Sequence, residues 1–317
     1  MSDVLAMGEL LIDFTPAGAE DGRSLFMQNA GGAVANVAAA LAGYGADTAF
    51  AGMVGSDAFG QYLKGVLKDK GVDVSGLRMT DEINTTLAFV HLFDNGERDF
   101  TFLRKPGADI MYSNKDIDAA AIEKAKIFHF GSLSLTDEPV RSATFEALSI
   151  AKNSGVVVSY DPNYRAPLWD SADAAKDMML RGLEFADIVK ISDNEIDLLF
   201  GGMPYEDAAK MLVDQGRKMV FVTLGSKGAV CACKDGVSTV AGYIAQAVDA
   251  TGAGDCFTAS VLYQYLQSQK RLDALCITDI KAFADFANAA ASICVEKKGG
   301  IPAMPKLEDV LARQQIC

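Results

Sequence analysis

Along most of the chain, short apolar runs alternate with amphipathic stretches. Residues 4–14 mix aliphatic side chains with Glu9 and Asp13, stop before Pro16, and predict a strand. Gly31-Gly32 breaks the chain, and residues 33–41 then supply strong helix formers. A second strand is predicted over 48–54 and a second helix over 59–68. Strand character returns at 127–130, 156–160, 188–191 and 219–224, the last running into Gly225-Ser-Lys-Gly228 and extended by 229–233. Helices are predicted over 140–153, 172–184, 195–200 and 205–214, from Gly254 to about 266, and from 279 to about 295. In the last of these, Phe283, Phe286, Ala290 and Ile293 recur at spacings of three and four. Such alternation predicts a three-layer α/β/α unit, a doubly wound and mostly parallel sheet covered on both faces.

Residues 73–107 depart from that rhythm. Residues 85–93 are rich in β-branched and aromatic side chains, Asp94-Asn-Gly-Glu97 signals a turn, and 98–103 is a second strand run. The pair predicts a hairpin inserted into the α/β body. Leu87, Phe89, Val90 and Leu92 put apolar groups on both of its faces, so one face can cover a site or meet another subunit.

Composition narrows the function classes. The 317 residues are 50% hydrophobic and 22% charged, enough for a full core and against a disordered chain. Asp plus Glu number 42 against 29 Lys plus Arg, a formal charge of -13, which argues against a nucleic-acid surface. The N-terminus lacks a basic region followed by an apolar run and a cleavage site, and the small-apolar stretch 30–46 is too short and too glycine-rich for a bilayer span. Six cysteines form no CxxC pair, which points to a reducing, cytoplasmic setting. His91 and His129 are too few for a histidine metal site.

Ligands in open α/β sheets bind beyond the carboxyl ends of the strands. Asp13, Asp161, Lys190, Glu195 and Thr223 fall at such ends. The sharpest segment is Asp249-Ala-Thr-Gly-Ala-Gly-Asp255, where small residues at a helix start let backbone N–H groups converge on an anion. On this segment alone, the favoured reading is that Asp255 does no more than stabilise the helix start and that the glycines only make a turn. Neither GxxxxGK[ST] nor GxGxxG is present, since Phe257 stands where a third glycine would be. Asn36, early on an Ala/Val/Leu helix, must be satisfied by backbone or by a polar ligand. Arg104 and Arg165 follow strand runs and read either as ion pairs or as anion contacts. The loop Asp161-Pro-Asn-Tyr-Arg-Ala-Pro-Leu-Trp169 gathers polar and aromatic groups, including the single tryptophan.

Taken in order, these pieces resemble the ribokinase-like, or PfkB, carbohydrate kinases over nearly the whole chain. Gly31-Gly-Ala-Val-Ala-Asn36 matches the N-terminal signature, Thr223-Leu-Gly-Ser-Lys-Gly228 the segment between, and Asp249 to Phe257 the C-terminal signature. The 161–169 loop and Phe102-Leu-Arg-Lys-Pro-Gly-Ala-Asp109 look most like fructokinases. The resemblance implies one kinase domain over 1–317, with a lid formed by inserted segments near 14–27 and 75–107. It implies ATP-dependent phosphorylation of a sugar primary hydroxyl, D-fructose to D-fructose 6-phosphate. Asp255 would be the catalytic base, with an ordinary pKa near 4, and Gly252, Ala253 and Gly254 the anion hole. Asp13, Gly32, Asn36, Arg104 and Arg165 would bind the sugar, and Lys190, Thr223, Gly225 and Asn288 would serve ATP. Glu195 would hold magnesium through water. Asp249 and Thr251, with the backbone near 298–301, would hold potassium. A homodimer through the lid is a further implication.

One departure stands out. Many relatives carry Asn-x-x-Glu after the strand at 188–191, and here the register gives Ser192-Asp-Asn-Glu195. A 2-keto-3-deoxygluconate kinase or an aminoimidazole riboside kinase would share the fold and the Asp255 chemistry. A sugar-binding regulator without catalysis is the alternative from another class.

Overall fold

The computed structural model describes residues 2–92 and 98–315. In chain order the strands are β1 (Val4–Met7), β2 (Leu11–Glu20), β3 (Arg23–Gly31), β4 (Thr48–Gly55), β5 (Asp73–Thr80), β6 (Leu87–Leu92), β7 (Arg98–Leu103), β8 (Ile127–Gly131), β9 (Val157–Asp161), β10 (Ile188–Ser192), β11 (Met219–Thr223), β12 (Gly228–Cys233) and β13 (Gly236–Ala241). The α-helices are α1 (Ala33–Gly43), α2 (Ala58–Asp69), α3 (Ala119–Lys124), α4 (Val140–Asn153), α5 (Ala172–Phe185), α6 (Asp193–Phe200), α7 (Tyr205–Asp214), α8 (Ala253–Ser268), α9 (Ile277–Cys294) and α10 (Leu307–Gln314).

Among the described residues, nine strands form one sheet in the order β13-β12-β11-β10-β9-β8-β1-β4-β5. Its pairings are parallel from β11 to β5 and antiparallel only at β12 and β13. Strands β4 and β8 are buried along their whole length, the continuous apolar pattern of a sheet covered on both faces. Strand β1 shows the two layers directly. Leu5 and Met7 join the core built with α4 and α5, whereas Val4 and Ala6 face the cores built with α1, α8 and α9. The predicted doubly wound α/β/α architecture is the one observed.

A second sheet has the order β3-β2-β6-β7. The β6–β7 hairpin is antiparallel, as its pattern predicts, and its turn signal at 94–97 lies outside the described residues. Phe14 of β2 stacks on Phe89 of β6 at 4.9 Å between ring centroids. On this sheet Leu25, Phe26 and Met27 are each about two-fifths exposed and Leu103 more than half.

Three local expectations need correction. The single strand over 4–14 is two strands in two sheets, broken at residues 8–10. The apolar run hides the break because both halves are buried. Residues 73–80, expected within the inserted segment, form the edge strand β5 of the large sheet, paired to β4. Residues 229–233 do not extend β11. The chain reverses at Gly225–Lys227, and β12 pairs antiparallel to β11 after Gly228 at φ +102°. Among the described residues no helix is long and apolar enough to cross a membrane.

Candidate active site

The carboxyl ends of β1, β9, β10 and β11 meet the starts of α1 and α8 around a cavity of about 620 Å³. Helix α8 begins after Gly252, whose φ of +79° a side chain would strain, and no side chain caps it. Its first-turn N–H groups therefore have no partner within the helix. A Cβ on Gly254 would lie 2.9 Å from Lys190 Nζ, so glycine is what lets the lysine approach the turn.

Asp255 sits in that first turn and is buried. Asn36 Nδ2 donates to its Oδ2 at 2.7 Å, and Asn163 Nδ2 donates to its Oδ1 at 2.7 Å. Burial first, then the charge of Asp161, pushes its pKa up to about 6, while Asn36, Arg165 and Lys190 pull the other way. The ordinary value near 4 expected from sequence is thus not what the folded site gives. At neutral pH the carboxylate is still mostly ionised.

Asp161 organises the floor. It accepts from Lys190 Nζ at 3.2 Å and Thr258 Oγ1 at 3.1 Å, and from the backbone N–H of Asn163 at 3.2 Å. Burial acts to depress the Lys190 pKa, but Asp161, Glu195 and Asp255 outweigh it and the net direction is up. Lys190 is therefore a fixed cation beside the α8 turn. Asp13 lines the same cavity with its pKa pushed up to about 7, by burial above all; Arg165 lowers it, and Asp255 and Asp249 raise it. Gly32 allows α1 to start where it does. Its φ is +109°, and a Cβ there would lie 2.5 Å from the carbonyl oxygen of Glu9.

Of the predicted site residues, Asp13, Gly32, Asn36, Arg165, Lys190, Glu195, Thr223, Gly225, Thr251, Gly252, Gly254 and Asp255 all line this cavity. Ala253 is the first residue of α8 between the two glycines. Three residues sit elsewhere. Asn288 on α9 donates to the carbonyls of Val240 and Ala241. Asp249 accepts from the N–H groups of Thr251 at 2.8 Å and Gly299 at 2.9 Å, so it ties the 249–251 turn to the 298–301 segment. Arg104 is buried against Asp109, Thr136 and the carbonyl of Leu133, outside the cavity lining.

Ser192 has a definite job where many relatives have asparagine. It caps α6 with Glu195 in a reciprocal capping box: its Oγ accepts from Glu195 N at 3.3 Å, and Glu195 Oε2 accepts from Ser192 N at 2.7 Å. Glu195 Oε1 accepts from Tyr164 N at 2.7 Å. Two residues escaped the sequence reading. Asn163 has a positive φ of +47°, and Asp-Pro-Asn is a turn signature that could have flagged it. Glu9 lines the cavity, accepts from Ala33 N at 2.5 Å through Oε1, and has a buried, unpartnered Oε2. Burial pushes its pKa up to about 7.

The profile of the pfkB family carbohydrate kinases matches residues 1–307. The chain belongs to that family. It is 43% identical to the probable chloroplastic fructokinase-6 of Arabidopsis thaliana, over 97% of this chain and 81% of that protein. The fold superimposes on a Xylella fastidiosa fructokinase with bound ATP at a TM-score of 0.91 and 34% identity, covering 100% of this chain and 99% of that one. A Vibrio cholerae fructokinase double mutant with fructose, ADP and potassium ion bound gives 0.90 and 33%, covering 99% and 98%. The chain is thus a carbohydrate kinase, and residues 249–257, which resemble the family's C-terminal signature, form the α8 turn at this cavity.

Proposed function

We propose that this kinase transfers the terminal phosphoryl group of ATP to the primary hydroxyl of D-fructose, giving D-fructose 6-phosphate. The observation that carries the reading is the Asp255 carboxylate, aimed by Asn36 and Asn163 at the uncapped start of α8. The fructokinase relatives support the choice of sugar.

Phosphoryl transfer asks mainly for positioning and charge stabilisation. In this reading the sugar lies against Asp13, Gly32, Asn36 and Arg165, and ATP against Lys190, Thr223 and Gly225, with Asn288 at the adenine end. Asp255 takes the hydroxyl proton as the oxygen bonds to phosphorus. The N–H groups around Gly252, Ala253 and Gly254, with Lys190 beneath them, offset charge on the transferring group. The small sheet acts as a lid that excludes water as a competing acceptor.

Magnesium fits as an ion held largely by phosphate oxygens and water. Among the described residues no group of three or more His, Cys, Asp or Glu could hold a metal alone. Glu195 would accept from a metal-bound water, since each of its carboxylate oxygens has a second lone pair beyond its backbone bond. Magnesium bound there would neutralise phosphate charge that the cavity's carboxylates repel. Potassium would sit by Asp249, Thr251 and the 298–301 backbone, beside the anion hole. The cytoplasm as location and a homodimer through Leu25, Phe26, Met27 and Leu103 belong to the same proposal.

The test is a coupled ADP-release screen with ATP and magnesium. Fructose, glucose, ribose, 2-keto-3-deoxygluconate, aminoimidazole riboside and fructose 6-phosphate are the acceptors. Fructose should have the highest kcat/KM. An advantage of about tenfold or more for another acceptor would remove fructose but keep the sugar-kinase reading. No ADP release with any of them would favour a sugar-binding regulator. Replacing potassium with tetramethylammonium at fixed ionic strength should lower activity, and a flat response would remove the monovalent cation.

A further inference from the structure

Four backbone crossings join the two sheets: residues 8–10, residue 32, residues 81–86 and residues 104–107. The first two are pinned by close packing. A Cβ on Gly8 would lie 2.7 Å from Val34 Cγ2, and Glu9 binds the N–H of Ala33 across the gap. The other two meet through side chains. Arg104 Nε donates to Asp109 Oδ2 at 2.7 Å, and Thr86 Oγ1 donates to Asp109 Oδ1. Arg104 Nη1 donates to Thr136 Oγ1 at 2.9 Å and Nη2 to the carbonyl of Leu133 at 2.8 Å. Leu133 and Thr136 follow β8 of the large sheet.

We propose that Arg104 is a positioning residue that latches the small sheet to the large one, and not a group that touches the sugar. The proposal rests on the lid reading above. All three guanidinium nitrogens are engaged, and the Arg104 and Asp109 side chains are only 2% and 3% exposed. Swinging the guanidinium toward the cavity would break bonds inside a buried site, where each is expensive to leave unmade. Neither Arg104 nor Asp109 lines the cavity, yet Phe102, two residues before Arg104, and Leu133, which Arg104 holds by its carbonyl, both do. The latch therefore fixes two pieces of the cavity wall, one from each sheet. Glu9, on the first crossing, feels the charges of both Asp109 and Arg104.

A loosened latch should admit water beneath the lid. Water oxygen would then bond to the terminal phosphorus as the bond to ADP breaks, giving ADP and inorganic phosphate, with the proton released to solvent. Arg104→Lys, Asp109→Asn and the milder Thr136→Val are compared with the parent by sugar and ATP kinetics, by ADP formed per sugar phosphate, and by amide hydrogen exchange without ligands. Arg104→Lys and Asp109→Asn should each raise the sugar KM by about tenfold and leave the ATP KM within about threefold. ADP should exceed sugar phosphate, and the double variant should be no worse than the worse single one, as for residues acting through one contact. Exchange should quicken at 81–86 and 104–107 and stay unchanged in β8 to β11. Thr136→Val should show the same pattern more weakly, and it keeps the test open should Arg104→Lys fail to fold. Normal kinetics and unit stoichiometry in Asp109→Asn, beside a large loss in Arg104→Lys, would make Arg104 a sugar contact and overturn the latch. Unchanged exchange in all three variants would overturn it as well. The exchange arm needs no substrate, so a parent inactive on every sugar would sink the kinase reading and leave the latch judged separately.

Discussion

Helix α1 follows Gly32 at φ +109°, helix α8 follows Gly252 at φ +79°, and neither glycine cap residue can offer a side-chain cap of its own. The two helices pack on each other, and their first turns face the same cavity. What differs is how each turn is occupied. At α1, the first N–H already binds the chain's own Glu9, and the Gly32 position is walled in by backbone. At α8, the first N–H, that of Ala253, meets only the carbonyl of Ala250 at 3.3 Å, the two glycines of the turn lie against Lys190, Met304 and the Gly300 backbone, and the acid in the turn is held by amides from two other elements. One turn already carries a carboxylate of the chain on its first N–H. The other keeps its dipole end open to a ligand's charge. The same glycine signal in sequence therefore marks a turn that holds the chain's own carboxylate in one place and, in the proposed mechanism, the anion hole in the other.

Asp255→Asn breaks the chemical turn most directly. The shape survives and the proton acceptor is lost, so kcat should fall by about 10²–10⁴-fold with sugar binding little changed. Turnover within a few-fold of the parent would show that α8 is as structural as α1. Next comes Gly254→Val. A Cβ there already meets Lys190 Nζ at 2.9 Å, and a branched side chain would displace the lysine and crowd the backbone. We expect a loss of about 10²-fold in kcat, the size seen when one oxyanion donor is removed, with a folded circular dichroism spectrum. Normal kcat would leave the glycine with a turn-making role only.

Asn36→Ala tests the link between the two helices. Its hydrogen bond favours the charged form of Asp255, so losing it should move the Asp255 pKa above about 6. A base works only when unprotonated. The acidic limb of the kcat profile should therefore shift to higher pH, with a loss of about tenfold at pH 6 and less at pH 8. An acid limb that stays in place would mean that Asn36 does not tune the base.

Much of this contrast was legible in the sequence, because strand ends and glycine turns mark where parallel sheets bind ligands. The large-sheet rhythm needed only periodicity, whereas the Asp255 segment stood out by its small residues and took its expected role from the family resemblance. What stayed hidden depended on contacts between distant segments. Asn163 reaches Asp255 across 92 positions, and Arg104 finds Thr136 across 32. Arginine after a strand reads equally as an anion contact or an ion pair, and only packing decides. The split of 4–14 into two sheets was invisible for another reason: Leu10, Leu11 and Ile12 are as buried as β1 itself, so apolarity does not change where the chain changes sheets.

The smallest expected effect concerns the closed turn. Glu9 is ionised only at a cost, since burial lifts its pKa from 4.5 to about 7. A carboxyl whose folded pKa lies above its unfolded value contributes stability that is fully present below the unfolded pKa. That contribution is lost as pH rises through the folded pKa, because the folded state holds the proton longer. The parent should therefore lose stability between about pH 5 and pH 8 through this group, by about 1–3 kcal/mol. Glu9→Gln keeps an oxygen for the Ala33 N–H and cannot ionise, so it should lack that share of the pH dependence. Asp13 and Asp255 add slopes of the same sign to both proteins, and the difference between parent and variant isolates Glu9. Thermal melts should show the variant gaining on the parent by a few degrees at pH 8 relative to pH 5, at about 1.5 °C per kcal/mol for a chain of this length. A melting difference that is flat across that window would mean that Glu9 does not change protonation in the folded protein. Its unpartnered oxygen would then be satisfied as a charge, and the α1 turn would be closed by a full anion held against the helix dipole throughout that window.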